Sequence, residues 1–318
     1  MRAPKFWQTG GGALPFLLWP LSMIWKLGTK ARALFMRPQK VDAPVICVGN
    51  ITAGGAGKTP IVMALAEALA DRTPAILCRG YGVPIRKPIR VDLERHTARD
   101  VGDEALLLAR VAPTYVSFDR LAAARQAVAD GAKLILMDDG FHHPHLYKDM
   151  SLLVANGTLG FGNGFTIPAG PCRENPDSAV GRADALLVSG ENHHDSLHRE
   201  WGAAPVFVFE RRLQLPENPG PYLAFAGIAY PDIFFSMLEA AGVKLIGRWR
   251  FDDHQFYKKK HLDFLSRWAT EAKATLITTE KDAARLPKEF PVTVAPLQLC
   301  IPDGFMEWIT ATLDGRGE

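Results

Sequence analysis

From Pro44 onward the chain repeats one pattern: a short unbroken run of apolar or β-branched residues, a turn, then apolar positions at helical spacing. The runs predict strands at Val45–Val48, Ala75–Cys78, Thr114–Ser117, Leu134–Met137, Leu152–Ala155, Ala185–Val188 and Val206–Phe209. They lack the in-out alternation of a half-exposed sheet, so they read as strands covered on both faces. The helical spacing predicts helices over Ile61–Ala70, Glu104–Val111 and Leu121–Ala129. Strand and helix in alternation give an α/β fold, a mostly parallel sheet with helices on both faces. The segment Leu215–Pro221, rich in proline, interrupts the pattern as a linker or sharp turn. Beyond it, predicted strands at Leu223–Ala226, Leu245–Phe251, Ala274–Thr278 and Val292–Leu297 make a smaller second α/β lobe.

The N-terminal segment follows a different rule. Ala13–Trp25 holds a single polar residue, Ser22. It is too short to span a bilayer, which takes about 20 residues. The whole chain has 318 residues, 37 basic and 34 acidic, for a net charge of +3. Seven of the basic groups (Arg2, Lys5, Lys26, Lys30, Arg32, Arg37, Lys40) precede the first acid, leaving 37 − 7 = 30 against 34 in the remainder. A basic, tryptophan-bearing apolar leader on a mildly acidic body predicts an interfacial, monotopic attachment to an anionic membrane surface. A core helix and a signal peptide are the alternatives. The small net charge argues against a dedicated nucleic-acid partner, and no obligate protein partner is evident. Four widely spaced cysteines without a CxxC pair fit a reducing compartment. The expected division is 1–38 as membrane-associating segment, 39–218 as nucleotide-binding domain and 219–318 as second lobe.

That nucleotide assignment rests on Val45 to Pro60, where a buried run leads into a glycine-rich turn and then Lys-Thr at the start of a helix. The order aims backbone N–H groups and a helix N-terminus at phosphate, the arrangement of a P-loop NTPase-like domain. Thr52, Ala53, Gly54, Gly55, Ala56, Gly57, Lys58 and Thr59 form the candidate cradle. Lys58 would reach the outer phosphates and the Thr59 hydroxyl would ligate magnesium, so the expected cofactors are ATP and Mg2+. Thr52 stands where the usual spacing has glycine; Gly54, Gly55 and Gly57 supply the flexibility instead. Leu134–Met137 runs into Asp138 and Asp139, which places these acids at the carboxyl end of a buried strand as candidate metal ligands.

Together with Val48-Gly49-Asn50-Ile51-Thr52, these features resemble one family, the tetraacyldisaccharide 4'-kinases. The resemblance covers nearly the whole chain and rests also on Arg79-Gly80-Tyr81-Gly82, Val101-Gly102-Asp103-Glu104, Asp138-Asp139-Gly140-Phe141 with His143, Pro168-Ala169-Gly170-Pro171 with Arg173-Glu174, Asp253-His254 and Thr278-Thr279-Glu280-Lys281-Asp282. It implies ATP-dependent phosphorylation of the 4'-hydroxyl of tetraacyldisaccharide 1-phosphate, an acylated glucosamine disaccharide, giving lipid IVA at the cytoplasmic face of the bacterial inner membrane. It also implies Asp103 as base for the sugar hydroxyl with His254 as its partner, Lys58 as catalytic cation, and Glu174 beside the metal. Asp103 and His254 fall in different expected lobes, so lobe closure would assemble the pair. From sequence alone Asp103 reads equally as a helix N-cap. Gln255 departs from the pattern, since many family members carry a second histidine there. The alternative from another class is a membrane-associated P-loop switch or partitioning-type ATPase, which would need no base at an acceptor hydroxyl.

Overall fold

The computed structural model describes residues 4, 6–9, 12–34, 36–80, 85, 87–191, 194–197, 201, 204–215 and 220–315. Among these, strands β1 (Val45–Gly49), β2 (Pro74–Cys78), β3 (Ile89–Arg90), β4 (Thr114–Val116), β5 (Leu134–Asp138), β6 (Met150–Asn156), β7 (Ala185–Ser189) and β8 (Val206–Leu213) belong to one sheet. Strands β9 (Tyr222–Ala226), β10 (Leu245–Arg250), β11 (Thr275–Thr278) and β12 (Thr293–Val294) form a second, and β13 (Leu297–Cys300) returns to the first. The large sheet has the order β13-β8-β7-β6-β1-β5-β2-β4-β3. It is parallel from β8 to β4, with β13 and β3 antiparallel at its edges.

Unbroken apolar strands need two covered faces, and both are present. Ile46 and Val48 of β1 pack with Ile61, Val62 and Leu65 of the helix Lys58–Ala68 and with Phe305 and Ile309 of the helix Phe305–Asp314. Val45 and Cys47 point the other way, toward Leu121, Ala124 and Ala127 of the helix Arg120–Ala129. This is the period-2 geometry of a strand feeding two layers. The small sheet, β10-β9-β11-β12, is parallel throughout and is covered by Phe234, Phe235 and Leu238 on one face and Leu265 on the other.

The expected strand Val292–Leu297 divides between sheets. Thr293–Val294 pairs with β11, and the chain then passes through Ala295-Pro296 so that Leu297–Cys300 lies antiparallel to β8. Pro296 has no N–H for a ladder, which favours a break there. The second lobe, expected over 219–318, therefore ends near residue 295: it is an insertion between two adjacent strands of the large sheet, and the last helix belongs to the large core.

The leader forms a helix, Leu14–Leu34, that runs through Pro20. Phe16, Leu17, Trp19, Leu21, Ile24 and Trp25 are exposed along it while Ser22 is buried. Ser22 Oγ donates to Thr166 O at 2.8 Å and accepts from the Ala169 N–H at 3.3 Å, Trp25 Nε1 donates to Arg173 O at 3.1 Å, and Phe16 meets Phe165 edge-on. The helix thus docks on the loop 161–173 through polar anchors and leaves most of its apolar residues uncovered, unlike a core helix. No helix among the described residues is long and apolar enough to cross a membrane. Arg2 and Lys5 of the basic leader and residues 216–219 of the expected linker lie outside the described residues.

Candidate active site

Strand β1 ends at Gly49 because the loop after β5 crosses it closely: a Cβ there would stand 2.5 Å from Phe141 Cβ. From Asn50 the chain arches outward, pinned by Asn50 Nδ2 donating to Thr52 O (2.8 Å) and by the Ala53 N–H donating to Pro171 O (2.8 Å). It re-enters a helix at Gly57, whose φ of 87° few residues besides glycine adopt. No side chain caps this helix, so its first N–H groups are left to an anion. Lys58 Nζ donates to Asn50 Oδ1 at 3.0 Å and lies 3.4 Å from Asp139 Oδ1. The Thr59 hydroxyl donates to Asp138 Oδ2 at 3.4 Å. The segment Thr52–Thr59, including Ala53, Gly54, Gly55 and Ala56, runs as a turn from strand into helix, and the threonine at 52 forms an antiparallel bridge to Cys172. Ala229 and Tyr230 of the small lobe lie against Gly54 and Gly55, which puts the cradle between the lobes.

Asp138 ends β5 with both neighbours in place. Burial, then the Glu104 charge, push its carboxyl up to about 7 against the pull of Lys58. Its Oδ1 is buried without a hydrogen-bond partner among the described residues. A carboxylate oxygen left bare beside the Thr59 hydroxyl fits a divalent cation, which would supply the missing positive charge. Asp139, opposed by burial, is held low by Lys58 and Arg173. Glu174 is engaged elsewhere: Arg182 Nη2 reaches both its oxygens at 2.6 Å and His142 Nε2 lies 2.8 Å from Oε1. Among the described residues no three His, Cys, Asp or Glu side chains converge as a ligand cage.

Asp103 opens the helix Asp103–Leu108, but Gly102 (φ 89°) occupies the cap position. The carboxylate bonds only the adjacent Glu104 N–H on its own chain (3.0 Å) and otherwise faces the small lobe. His254 Nδ1 lies 3.2 Å from each of its oxygens. His254 has φ 55°, a left-handed conformation strained for histidine, and its own N–H donates to Gly227 O at 3.1 Å. Lys281 Nζ donates to Glu104 Oε1 at 2.9 Å, and Arg285 Nε stands 3.4 Å from Asp103 Oδ2. Burial alone would raise the Asp103 carboxyl; the His254 hydrogen bond and the Lys281, His254 and Arg285 charges overcome it and hold the group at about 2.

The structure brings together Lys58, Thr59, Asp138 and Asp139 at one end and Asp103 with His254 at the other, linked through Glu104. Glu174 belongs to the neighbouring Arg182–His142 cluster. Sequence reasoning missed Asn50, Arg211 and Arg285 as individual site residues. Asn50 was legible from its place between strand and glycines. Arg211 of β8 gave no signal, yet its Nη2 would meet a Cβ on Gly57 at 2.9 Å, and burial lowers its guanidinium to about 10. Tyr81 and Gly82, cited for the resemblance, lie outside the described residues.

Comparisons with known proteins agree with one another. The LpxK family, described as tetraacyldisaccharide-1-P 4'-kinase, matches residues 14–314. A tetraacyldisaccharide 4'-kinase of Parvibaculum lavamentivorans is 44% identical over 310 residues, covering 94% of this chain and 90% of its own. One from Gluconacetobacter diazotrophicus is 46% identical over 293 residues, covering 90% and 89% respectively. The crystal structure of the apo form of LpxK from Aquifex aeolicus in complex with ATP superposes with a TM-score of 0.78 at 25% identity, covering 95% of this chain and 99% of that one.

Proposed function

The chain belongs to the tetraacyldisaccharide-1-phosphate 4'-kinase family, and from that premise we propose that it transfers the γ-phosphoryl group of ATP to the 4'-hydroxyl of tetraacyldisaccharide 1-phosphate, forming lipid IVA. The observation that carries the mechanism is the pairing of Asp103 with His254 across the lobes. A switch ATPase positions water and has no use for a dyad at an acceptor hydroxyl, so this contact favours the kinase over that alternative.

Phosphoryl transfer needs positioning and charge neutralisation more than covalent help. The N–H groups of the loop 52–59 cradle the phosphates, Lys58 exchanges its hold on Asn50 and Asp139 for the outer phosphate oxygens, and Arg211 adds a cation beside Gly57. Thr59 and Asp138 are the residues that would hold Mg2+, with Asp139 adjacent; the ion supplies charge neutralisation on the phosphates. Glu174, expected at the metal, serves in this reading to orient His142 and Arg182.

The resemblance made Asp103 the base. Its burial to 4% exposure and its strong ionisation make it a poor proton acceptor. A carboxylate fixing Nδ1 orients the more exposed imidazole, whose Nε2 lies 3.9 Å from Asp253 Oδ1, to take the proton from the sugar hydroxyl, with the carboxylate stabilising the imidazolium that results. The role of base therefore passes to His254, and Asp103 orients it. The apolar residues left bare on the helix Leu14–Leu34 lie in the interface of an anionic membrane, at the cytoplasmic face of the inner membrane, where a four-chain lipid can be met without leaving the bilayer.

The test is transfer of label from ATP to tetraacyldisaccharide 1-phosphate in detergent micelles. Wild type labels the lipid, and Lys58→Ala loses about 10³-fold in rate. ATP hydrolysis without labelled lipid sinks the kinase and restores the switch.

A further inference from the structure

Asp282 and Arg285 form a charged pair buried behind the dyad, with side chains 0% and 1% exposed. Asp282 Oδ1 accepts from the Gly227 N–H at 2.9 Å, the Tyr257 hydroxyl at 2.6 Å and Arg285 Nη2 at 2.6 Å, and Oδ2 accepts from the Thr279 hydroxyl at 2.6 Å. Arg285 Nη2 also donates to Gly227 O at 2.9 Å, Nη1 to Gln255 O at 3.4 Å and Nε to Lys281 O at 3.1 Å. The same guanidinium therefore holds the backbone of Gly227, which binds the His254 N–H, and of Gln255, which follows His254, while its Nε faces Asp103.

A fully buried ion pair seldom adds stability over apolar packing of the same volume. What this pair adds is placement. It clamps both sides of a strained histidine and brings a fixed positive charge against the carboxylate that the histidine faces. The charged and titratable groups around that contact are Asp103, Glu104 and Lys281, then Asp253, 3.9 Å from His254 Nε2, then Asp282 and Tyr257 behind Arg285, with Arg99 over the Phe256 ring at the rim.

Resting on the kinase reading, we propose that Arg285, held by Asp282, is a positioning residue for phosphoryl transfer: it fixes the His254 loop and sets how much of the Asp103 charge the imidazole feels. With Arg285 removed, Asp103 is less compensated and holds a proton on its imidazole partner more tightly. With the Asp282 charge removed, the guanidinium acts more fully on Asp103 and the imidazole releases its proton more readily.

The experiment measures kcat and KM for labelled-phosphate transfer to tetraacyldisaccharide 1-phosphate in micelles, from about pH 5 to about pH 9, for wild type, Arg285→Gln, Arg285→Lys and Asp282→Asn. Arg285→Gln lowers kcat about 10- to 100-fold with KM for ATP changed less than about threefold, and its acidic limb moves to higher pH by about half a unit to one unit. Asp282→Asn moves the limb the opposite way, and Arg285→Lys keeps the wild-type limb while losing part of kcat. Limbs that stay put in folded variants, or that move in the same direction for Arg285→Gln and Asp282→Asn, overturn the proposal. If Arg285→Gln does not fold by thermal melting, Asp282→Asn against Arg285→Lys decides by the same criterion. A wild type that fails to label the lipid refutes the kinase reading itself, a result distinct from these.

Discussion

Two buried aspartates face the cleft from neighbouring elements, and their environments drive them in opposite directions. Asp138 at the end of β5 is pushed up to about 7 by burial and by the Glu104 charge, and it keeps one oxygen without a partner. Asp103, buried as well, is drawn down to about 2 by His254, Lys281 and Arg285. The difference lies in where each compensating cation comes from. The small lobe brings its own to Asp103, whereas among the described residues the cations that act on Asp138 are Lys58, the proposed phosphate ligand, and Arg120, itself buried. One acid is compensated from within the protein; the other, in the reading proposed above, is completed by what binds.

The largest effect expected from this contrast is on turnover, where it should disappear. Asp138→Asn and Asp103→Asn each lose about 10²- to 10³-fold in kcat for lipid phosphorylation, because each removes charge needed during transfer. Stability should then separate them. For ligand-free protein at about pH 8, Asp138→Asn raises stability by roughly 1 to 4 kcal/mol, since it discharges a buried acid, while Asp103→Asn lowers it by about 2 kcal/mol. Urea or thermal melts check this, and equal signs for the two variants would break the contrast. The pH dependence sharpens it. A depressed carboxylate stabilises the fold above its unfolded value near 4 and loses that contribution as pH falls toward 2, so the deficit of Asp103→Asn shrinks over that acid window. A raised carboxylate penalises the fold above about 7, and the advantage of Asp138→Asn fades as pH falls from about 7 to about 4. The smallest effect is at Lys281: Lys281→Met removes one of the cations near Asp103 and unpairs Glu104, costing kcat about three- to tenfold, readable in the same micelle assay.

How much of this the sequence disclosed depends on how local the information is. The turn from Thr52 to Thr59 and the acid at the end of β5 are contiguous with their strands, so hydrophobic runs and glycines were enough to place them in the fold. The sheet and its two helical layers were legible for the same reason. Asp103 and His254 were named through resemblance, while their contact depends on closing a sequence separation of 151 and on a left-handed histidine. Arg285 was invisible because nothing in Ala283-Ala284-Arg285-Leu286 distinguishes a surface arginine from one fully buried across a lobe boundary. For Glu174, expected beside the metal, nothing in the sequence could reveal Arg182 and His142 closing on it. The strand predicted over Val292–Leu297 fused two pieces because apolar character continues across Pro296 while partnership changes.

That change of partnership has a consequence for how the chain is made. Strand β13 and the helix Phe305–Asp314 complete one edge and one face of the large sheet, yet they are synthesised only after the entire inserted lobe. The first domain to be synthesised therefore waits with β8 exposed as an open edge and with Phe207 and Phe209 uncovered on the face that Phe305 later covers. An open edge beside bare aromatics is the kind of surface on which nascent chains aggregate. Once the inserted lobe has folded with Val294 beside β11, Leu297–Cys300 lies within reach of that open edge, so closure of the small lobe and completion of the large sheet are joined through two residues, Ala295 and Pro296.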